Sequence, residues 1–199
     1  EVTGYTLVPG QETSLTIGDD ENVLNLYYTP RTDLSYTVNY YWNGTEYSVK
    51  PSKTVTGKMF GEEVTESPIG ADGYTPVSTG PKTITIGTGT NEINFYYYKN
   101  VTLTANSDEK TYNGNEQTVK PGYTCSEKNV TFDNIAEPSG KGTDAGTYPV
   151  NFEQDKTKPG YPLNKVDTTE KYIVTAANPG TLTINKRSVT LTSGSGEKV

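Results

Sequence analysis

The chain contains many short stretches in which apolar and polar residues alternate with a period of two. The clearest is SYTVNYYW at residues 35–42, where Tyr36, Val38 and Tyr40 alternate with polar or smaller neighbours. Successive side chains of a strand point to opposite faces of a sheet, so this pattern predicts a strand with one buried face. An Asn-Gly pair follows at 43–44 and predicts a hairpin, because both central residues of a type I′ turn need positive φ.

The same alternation occurs twice along the chain. Residues 4–28, GYTLVPGQETSLTIGDDENVLNLYY, align without a gap on residues 73–97, GYTPVSTGPKTITIGTGTNEINFYY, which begin 69 residues later. Eleven of the 25 aligned positions are identical, and substituted pairs such as Leu15/Ile84 and Leu24/Ile93 stay apolar. Two copies at one spacing are typical of a tandem repeat.

A second repeat has a longer period. VTLTANSDEK at residues 101–110 recurs as VTLTSGSGEK at residues 189–198, 88 residues later, with seven of ten positions identical. The two repeats together divide the chain into four predicted segments. These are residues 1–30, the C-terminal part of a preceding repeat; 31–99, a complete module; 100–187, a second module; and 188–199, the start of a following repeat.

The order of elements in residues 31–99 favours a β-grasp-like module, with a hairpin, a crossing element and two closing strands. Pro51 is predicted to end the second hairpin strand. Residues 54–66, TVTGKMFGEEVTE, are ambiguous, because Met59, Phe60 and Val64 could form one short helix that crosses the sheet.

In the second module, strands are predicted near residues 130–135, 147–152, 172–175 and 181–185, and residues 157–169 are predicted to form a mobile loop. No window of about 12 residues shows the periodicity of a long amphipathic helix. We therefore expect a mainly β protein made of tandem small β-rich modules, the first β-grasp-like, arranged as an elongated rod.

Composition and charge exclude several functions. The net charge is −7, and residues 1–30 alone carry five acidic residues and no basic ones. The two modules have nearly balanced charge and lack the basic patch of a nucleic-acid binder. The chain has no histidine and one cysteine, Cys125, so a Cys/His zinc site, a Ser-His-Asp triad and an intrachain disulfide are all excluded. We expect no cofactor, no metal and, in this segment, no membrane insertion.

The sequence resembles two families of bacterial surface repeats. YTVNYYWNGTEY, the GYTPV turn and INFYYYKN, within residues 35–99, are similar to the mucin-binding protein (MucBP) repeat of bacterial adhesins. TYNGNEQ, DAGTYPV and TLTINKRSVTLT, after Asn100, are similar to MBG-type repeats of Gram-positive cell-wall proteins. The resemblance implies an extracellular, wall-attached, non-catalytic adhesin whose partners are mucin or another host glycoprotein or glycan and the neighbouring repeats. Neither family supplies a catalytic or ligand-contact residue that can be assigned to a position of this sequence.

A possible binding surface follows from the alternation of side chains. Open aromatic rings stack on the C–H faces of sugars, and the strand pattern directs several rings away from the face of Val38 and Ile93. The candidate ligand-binding residues are Tyr41, Tyr96 and Tyr98, which point away from that face, and Trp42, which is predicted to lie beside the hairpin tip. An alternative is that these rings only cover the second face of a small sheet and pair across strands. Tyr27 repeats Tyr96 in the other copy, as a scaffold residue would.

Other functions compete with ligand binding. The modules could be structural spacers in a stalk that projects another domain, and residues 100–187 suit that role because they carry fewer aromatic residues. A glycosidase needs two facing carboxylates in a deep cleft, which small tandem modules build poorly. Asp19-Asp20-Glu21 resembles the start of a calcium loop but lacks its spacing, and the aligned residues Thr88-Gly89-Thr90 carry no carboxylate.

Overall fold

The structure is a computed structural model that describes residues 1–155, 157–158, 160–194 and 196. The described residues form an all-β protein, and the chain divides into two compact units, Glu1–Lys99 and Asn100–Val199. Strand β8 contributes its residues up to Lys99 to the first unit and those from Asn100 to the second. The strands of the first unit are β1 (Tyr5–Leu7), β2 (Tyr28–Pro30), β3 (Leu34–Trp42), β4 (Tyr47–Lys58), β5 (Glu63–Glu66), β6 (Tyr74–Pro76), β7 (Lys82–Thr85) and the beginning of β8 (Glu92–Ala105).

The main sheet of the first unit is built around two parallel strands. β8 lies parallel to β3, with Val38 opposite Ile93 and Tyr40 opposite Phe95. β4 pairs antiparallel with the other edge of β3, and β6 pairs antiparallel with β8. β5 and β7 form a separate two-stranded sheet. The core consists of residues on one face of the main sheet, of Val64 in the second sheet, and of Ala71 and Ile86 outside the strands: Leu34, Tyr36, Val38, Tyr40, Val64, Ala71, Ile86, Ile93, Phe95 and Tyr97.

Asn43 and Gly44 have the predicted positive φ, 56° and 70°, but the loop is the four residues 43–46 instead of a two-residue turn, because Trp42 pairs with Tyr47. The prediction that Pro51 ends the second strand is wrong, because β4 continues to Lys58. The register slips between Val38, which pairs with Lys53, and Tyr40, which pairs with Lys50. Proline has no N–H to give to a ladder, and an edge strand accommodates it in a bulge of this kind.

The predicted helix around Met59 and Phe60 does not form. Residues up to Lys58 belong to β4, a turn follows, and Val64 lies in β5. Gly57 and Gly61 have φ of 72° and 82°, which are outside the helical region. The element that follows the hairpin is therefore a short strand, which pairs with β7.

Residues 5–8 and 27–30 pair with each other as residues 74–77 and 96–99 do. Tyr5 pairs with Pro30 as Tyr74 pairs with Lys99. The next hydrogen bonds also match, since the amide of Val8 donates to Tyr27 O at 2.9 Å and the amide of Val77 donates to Tyr96 O at 2.9 Å. The sequence repeat is therefore also a repeat of backbone structure.

This first copy contacts the complete one at Phe60. The rings of Tyr5 and Phe60 meet edge to face with centroids 5.5 Å apart, and a Cβ on Gly4 would lie 2.5 Å from the Phe60 ring. The amide of Arg31 donates to Gly4 O at 2.9 Å, and the amide of Phe60 donates to Arg31 O at 2.8 Å. These contacts hold one end of residues 4–30 on the rest of the unit.

The strands of the second unit, besides the end of β8, are β9 (Asp108–Thr111), β10 (Gln117–Thr118), β11 (Tyr123–Cys125), β12 (Lys141–Gly142), β13 (Gly146–Val150), β14 (Tyr172–Asn178) and β15 (Gly180–Asn185). Among the described residues they form three groups. β11 and β14 both pair with β8. β15 lies between β13, which is antiparallel to it, and β9, which is parallel. β10 pairs with β12. Its core is formed by Val101, Leu103, Ala105, Val119, Val150, Phe152, Val174, Leu182 and Ile184.

Three of the four strands predicted here are confirmed, as β13, β14 and β15. The strand predicted at residues 130–135 is wrong, because Asn129 and Asn134 have φ of 59° and 56° and interrupt the extended chain. The described residues do not include Lys156, Pro159, Ser195, Glu197, Lys198 and Val199. Pro159 of the predicted 157–169 loop and three residues of the repeat at 189–198 therefore lie outside them.

Asp167 organises the turn before β14. Its side chain is 4% exposed and accepts hydrogen bonds from the amides of Lys171 and Tyr172, both at 2.7 Å, and of Thr169 at 3.0 Å. Burial raises the pKa of Asp167, but these bonds and one from the Thr169 hydroxyl outweigh it, so the pKa lies below its ordinary value.

No helix among the described residues is long and apolar enough to cross a membrane. Within the same set, no three Cys, Asp or Glu side chains converge closely enough to hold a metal ion.

We expect Asp167→Ala to lower the free energy of unfolding of the second unit by roughly 3 kcal/mol at pH 7, because several buried amides lose a charged acceptor. The folded-state pKa is depressed, so this stabilisation is present above the ordinary carboxyl pKa of about 4 and is lost as the pH falls through the lower folded-state value. Urea unfolding followed at the amides of β14 checks both points. The exposed Asp133, replaced by Ala, is the control, and an equal loss at pH 7 and at pH 2 would contradict the assignment.

Gly4 and Gly73 form a matched pair for a second test. Both have positive φ, at 81° and 78°, but only Gly4 lies against a ring. We expect Gly73→Ala to cost about 1 kcal/mol through backbone strain alone. Gly4→Ala should also displace residues 4–30 from Phe60 and expose the Arg31 amide to hydrogen exchange. Equal exchange of the Arg31 amide in the two variants would show that the contact with Phe60 is unimportant.

Candidate functional site

Tyr41 and Tyr96 lie together on the face of the main sheet opposite the core. They are directly opposed in the parallel ladder of β3 and β8, and their ring centroids are 6.4 Å apart at an interplanar angle of 33°. Tyr96 is 39% exposed and Tyr41 is half-buried. Because strand side chains alternate, Tyr98 lies on the same face, where it is half-buried. We call this face the tyrosine face.

Trp42 lies on the other side of the strand, at the end of the core face. Its ring centroid is 5.2 Å from that of Tyr47 and 6.3 Å from that of Tyr74, and the Lys99 ammonium lies 5.6 Å from the centre of the Trp42 ring. The four candidate residues therefore do not form one surface. Tyr41, Tyr96 and Tyr98 share a face, whereas Trp42 belongs to a separate aromatic cluster beside the hairpin turn.

A polar network lies next to the tyrosines. The Asn39 side-chain amide donates to Asn94 Oδ1 at 2.9 Å, and its oxygen accepts from the Ser52 hydroxyl at 2.7 Å. Asn39 is only 5% exposed, so these bonds replace the water it would otherwise bind. The network connects β3 to β8 on one side and to the bulge of β4 on the other.

Lys82 covers part of the tyrosine face. Its ammonium donates to the Asn94 carbonyl at 2.6 Å and lies 5.5 Å from the centre of the Tyr96 ring. A shallow depression of about 420 Å³ opens beside it, lined by Lys82, Thr83, Ile84, Glu92, Ile93, Asn94 and Tyr96. The depression therefore combines one aromatic ring with a cation, a carboxylate, a hydroxyl and an amide.

Sequence reasoning missed Lys82, Asn39 and Asn94. Lys82 is aligned with Thr13 in the first copy, so the repeat marks it as a variable position. Asn94 is aligned with the identical Asn25, and this identity was the one sequence feature that indicated a polar contact such as the Asn39–Asn94 hydrogen bond. Tyr74 belongs to the GYTPV motif, but nothing in the sequence indicates that its ring meets Trp42.

The perturbed ionisable groups of this unit lie away from the tyrosine face. Glu66 accepts from the Lys53 ammonium and from the Tyr36 hydroxyl, both at 2.6 Å, and these two bonds hold the pKa of Glu66 below its ordinary value. The bond to Glu66 and burial raise the pKa of Tyr36. Because the cluster joins Tyr36 of β3, Lys53 of β4 and Glu66 of β5, it stabilises the packing of β5 on the hairpin.

Comparison with known proteins was informative only at the level of distant structural likeness. No family model matches the chain, and no curated protein matches it. Among solved structures, the chain is similar to the Bacillus anthracis TIE protein, with 13% identity and a TM-score of 0.34 over 83% of this chain. The match spans 38% of the length of that chain. Since the TM-score is low, this likeness carries no argument about fold or function.

We expect Asn39→Ala to lower the free energy of unfolding of the first unit by roughly 2 kcal/mol, because Asn94 and Ser52 lose a buried partner. A double-mutant cycle with Asn94→Ala should show a coupling of about 1 kcal/mol in chemical denaturation. Additive losses would mean that the Asn39–Asn94 hydrogen bond contributes little.

Proposed function

We propose that the chain is a non-catalytic segment of a bacterial cell-surface adhesin in which residues 31–99 bind mucin glycans or another host surface ligand. The proposal includes an extracellular, wall-attached location through a parent chain, and tandem modules that form an elongated rod. Its first support is the resemblance of residues 35–99 to the MucBP repeat. Within that module, the parallel pairing of the first and last strands, β3 and β8, is consistent with a β-grasp-like order.

The observation that carries the binding proposal is the tyrosine face. Tyr41 and Tyr96 form an adjacent pair of rings, and the 420 Å³ depression places Asn94, Glu92 and Lys82 next to one of them. A sugar ring stacked on Tyr96 would present its hydroxyls to these groups. The cation of Lys82 already lies over Tyr96, so the side chain would swing aside or bind an acidic sugar directly. A sialylated or sulfated glycan would pair its acidic group with Lys82, while Glu92, which also lines the depression, would accept hydrogen bonds from sugar hydroxyls.

A stalk or spacer is the second candidate function. Tyr41 and Tyr96 contact each other, which is what a scaffold pair across two strands does. Tyr27 occupies the position of Tyr96 in the first copy and is 66% exposed there, although its neighbours differ. The second unit has fewer aromatic residues and suits this role better than a binding role.

Absence of catalysis is also part of the proposal. Two carboxylates of the first unit are held in ion pairs, Glu62 with Lys58 at 2.7 Å and Glu66 with Lys53 at 2.6 Å. A glycosidase would need two carboxyl groups that face each other across a substrate. Turnover assays on mucin test this part, and released sugar would contradict it.

Replacement of Tyr96 by Ala should weaken the binding of sialylated mucin glycans by at least about fivefold, because a stacked ring typically contributes about 1–3 kcal/mol by analogy with other ring–ligand contacts. Tyr41→Ala should have a smaller effect of the same sign. Binding is measured by titration of the full chain, with hydrogen exchange confirming that β3 and β8 remain folded.

Tyr27→Ala is the matched control, since it removes the equivalent tyrosine of the first copy and should leave the affinity unchanged. Unchanged binding after Tyr41→Ala and Tyr96→Ala in a folded chain would overturn the tyrosine face as the binding site. A glycan array on which the full chain binds no glycan would favour the spacer function.

A further inference from the structure

Residues 4–28 expose an apolar face whose counterpart is buried. Ile17, Leu24 and Leu26 are 75%, 38% and 40% exposed, whereas the aligned residues Ile86, Ile93 and Phe95 are 1%, 2% and 2% exposed. The two segments share the backbone pairing of residues 5–8 with residues 27–30, but only the second segment is also paired with β3 and β5. A row of apolar side chains of this kind marks an interaction surface.

The complete module shows what covers this face. Val38 and Tyr40 of β3 lie opposite Ile93 and Phe95, and the Tyr40 and Phe95 rings stack with centroids 6.1 Å apart. The equivalent strand is missing from residues 4–28. Residues 23–27, all of which the structure describes, accordingly form no strand, although the aligned residues 92–96 belong to β8.

The polar groups that fix the register of β3 are also repeated. The Asn91 carbonyl accepts from the Thr37 amide at 2.9 Å, and the Asn91 side chain donates to the Ser35 carbonyl at 3.0 Å. Asn22 is aligned with Asn91 and forms the same turn, since its Oδ1 accepts from the Gly18 amide at 2.9 Å as Asn91 Oδ1 accepts from Gly87 at 2.8 Å. The turn that positions the incoming strand is therefore already formed.

Asn25 supplies a second element of recognition. It is aligned with Asn94, whose Oδ1 accepts from the buried Asn39. In the first copy Asn25 is exposed. A strand with asparagine at the position of Asn39 would hydrogen-bond to Asn25. Apolar residues directly before and after that asparagine would cover the apolar row.

We propose that residues 4–28 form an acceptor site for a β-hairpin with the sequence pattern of Leu34–Lys58, whose first strand adds parallel to residues 23–28. The hairpin is thus the first half of the same repeat, with an aromatic or aliphatic residue at the positions of Tyr36, Val38 and Tyr40. Main-chain hydrogen bonds supply affinity in strand addition, and pockets for alternate side chains supply specificity. This binding site is independent of the proposed glycan binding.

An intact second copy of the chain is not the occupant. Its own Leu34–Lys58 hairpin is already paired with β8, and Val38 there is 0% exposed. A second copy would have to open its main sheet before it could donate this hairpin. The site therefore accepts a hairpin that has no partner of its own.

The test is a titration of the full chain, labelled with ¹⁵N, with a synthetic peptide of residues 31–69. We expect saturable shifts of the amides of residues 22–28 and of the Asn25 side chain, with slower hydrogen exchange there. Leu26→Asp should weaken binding by at least tenfold, because it places a charge in the apolar row. The control Val77→Asp, which places the same charge at an exposed apolar residue outside the acceptor segment, should change the affinity less than twofold.

A second experiment does not require a soluble peptide. A fusion that carries an extra copy of residues 31–69 ahead of Glu1 should slow hydrogen exchange of residues 22–28 at least a hundredfold. No slowing in the fusion would overturn the proposal. Peptide shifts confined to residues 92–97 would also overturn it, because they would mean that the peptide replaces β3 in the complete module. A third contrary result would be dimerisation of the chain alone that depends on concentration and is abolished by Leu26→Asp.

Discussion

The parallel pairing of β3 with β8 is the constraint on which the first unit depends. It places Val38 against Ile93 and Tyr40 against Phe95 on one face, and by the two-residue alternation it places Tyr41 against Tyr96 on the other. Asn39 and Asn94 hydrogen-bond between these two pairs, with Asn39 buried, and a slip of one residue would bring that polar pair into the apolar core. The core and the candidate site are thus fixed by one register.

The sequence predicted the parts of the fold that depend on local patterns. The alternation in residues 35–42 and the Asn-Gly turn were sufficient for β3 and its hairpin, and the apolar substitutions between the two copies were sufficient for the buried row of β8. The continuation of β4 through Pro51 was not predictable in this way, because it depends on a bulge opposite Asn39. The turn at Met59–Phe60 was missed because the apolar spacing there fits a helix, while Gly57 and Gly61 impose positive φ.

The candidate site was predicted less completely than the fold. Alternation alone places Tyr41, Tyr96 and Tyr98 on the second face. It cannot show that Lys82 reaches over Tyr96, since Lys82 is distant in sequence and belongs to a different sheet. Trp42 was predicted to lie beside the hairpin tip, and its even strand position, like those of Tyr36 and Tyr40, places its ring with Tyr47 and Tyr74 on the other side of the strand.

The bulge at Pro51 has a consequence for solubility. β4 forms the outer edge of the main sheet, and a regular twelve-residue edge strand would offer a long row of unpaired backbone groups to any neighbouring molecule. The missing N–H of Pro51 and the slipped register between Lys50 and Lys53 interrupt that row, and the two lysines add charge beside it. A protein rich in β-strands and tyrosine thereby carries its own barrier against edge-to-edge aggregation.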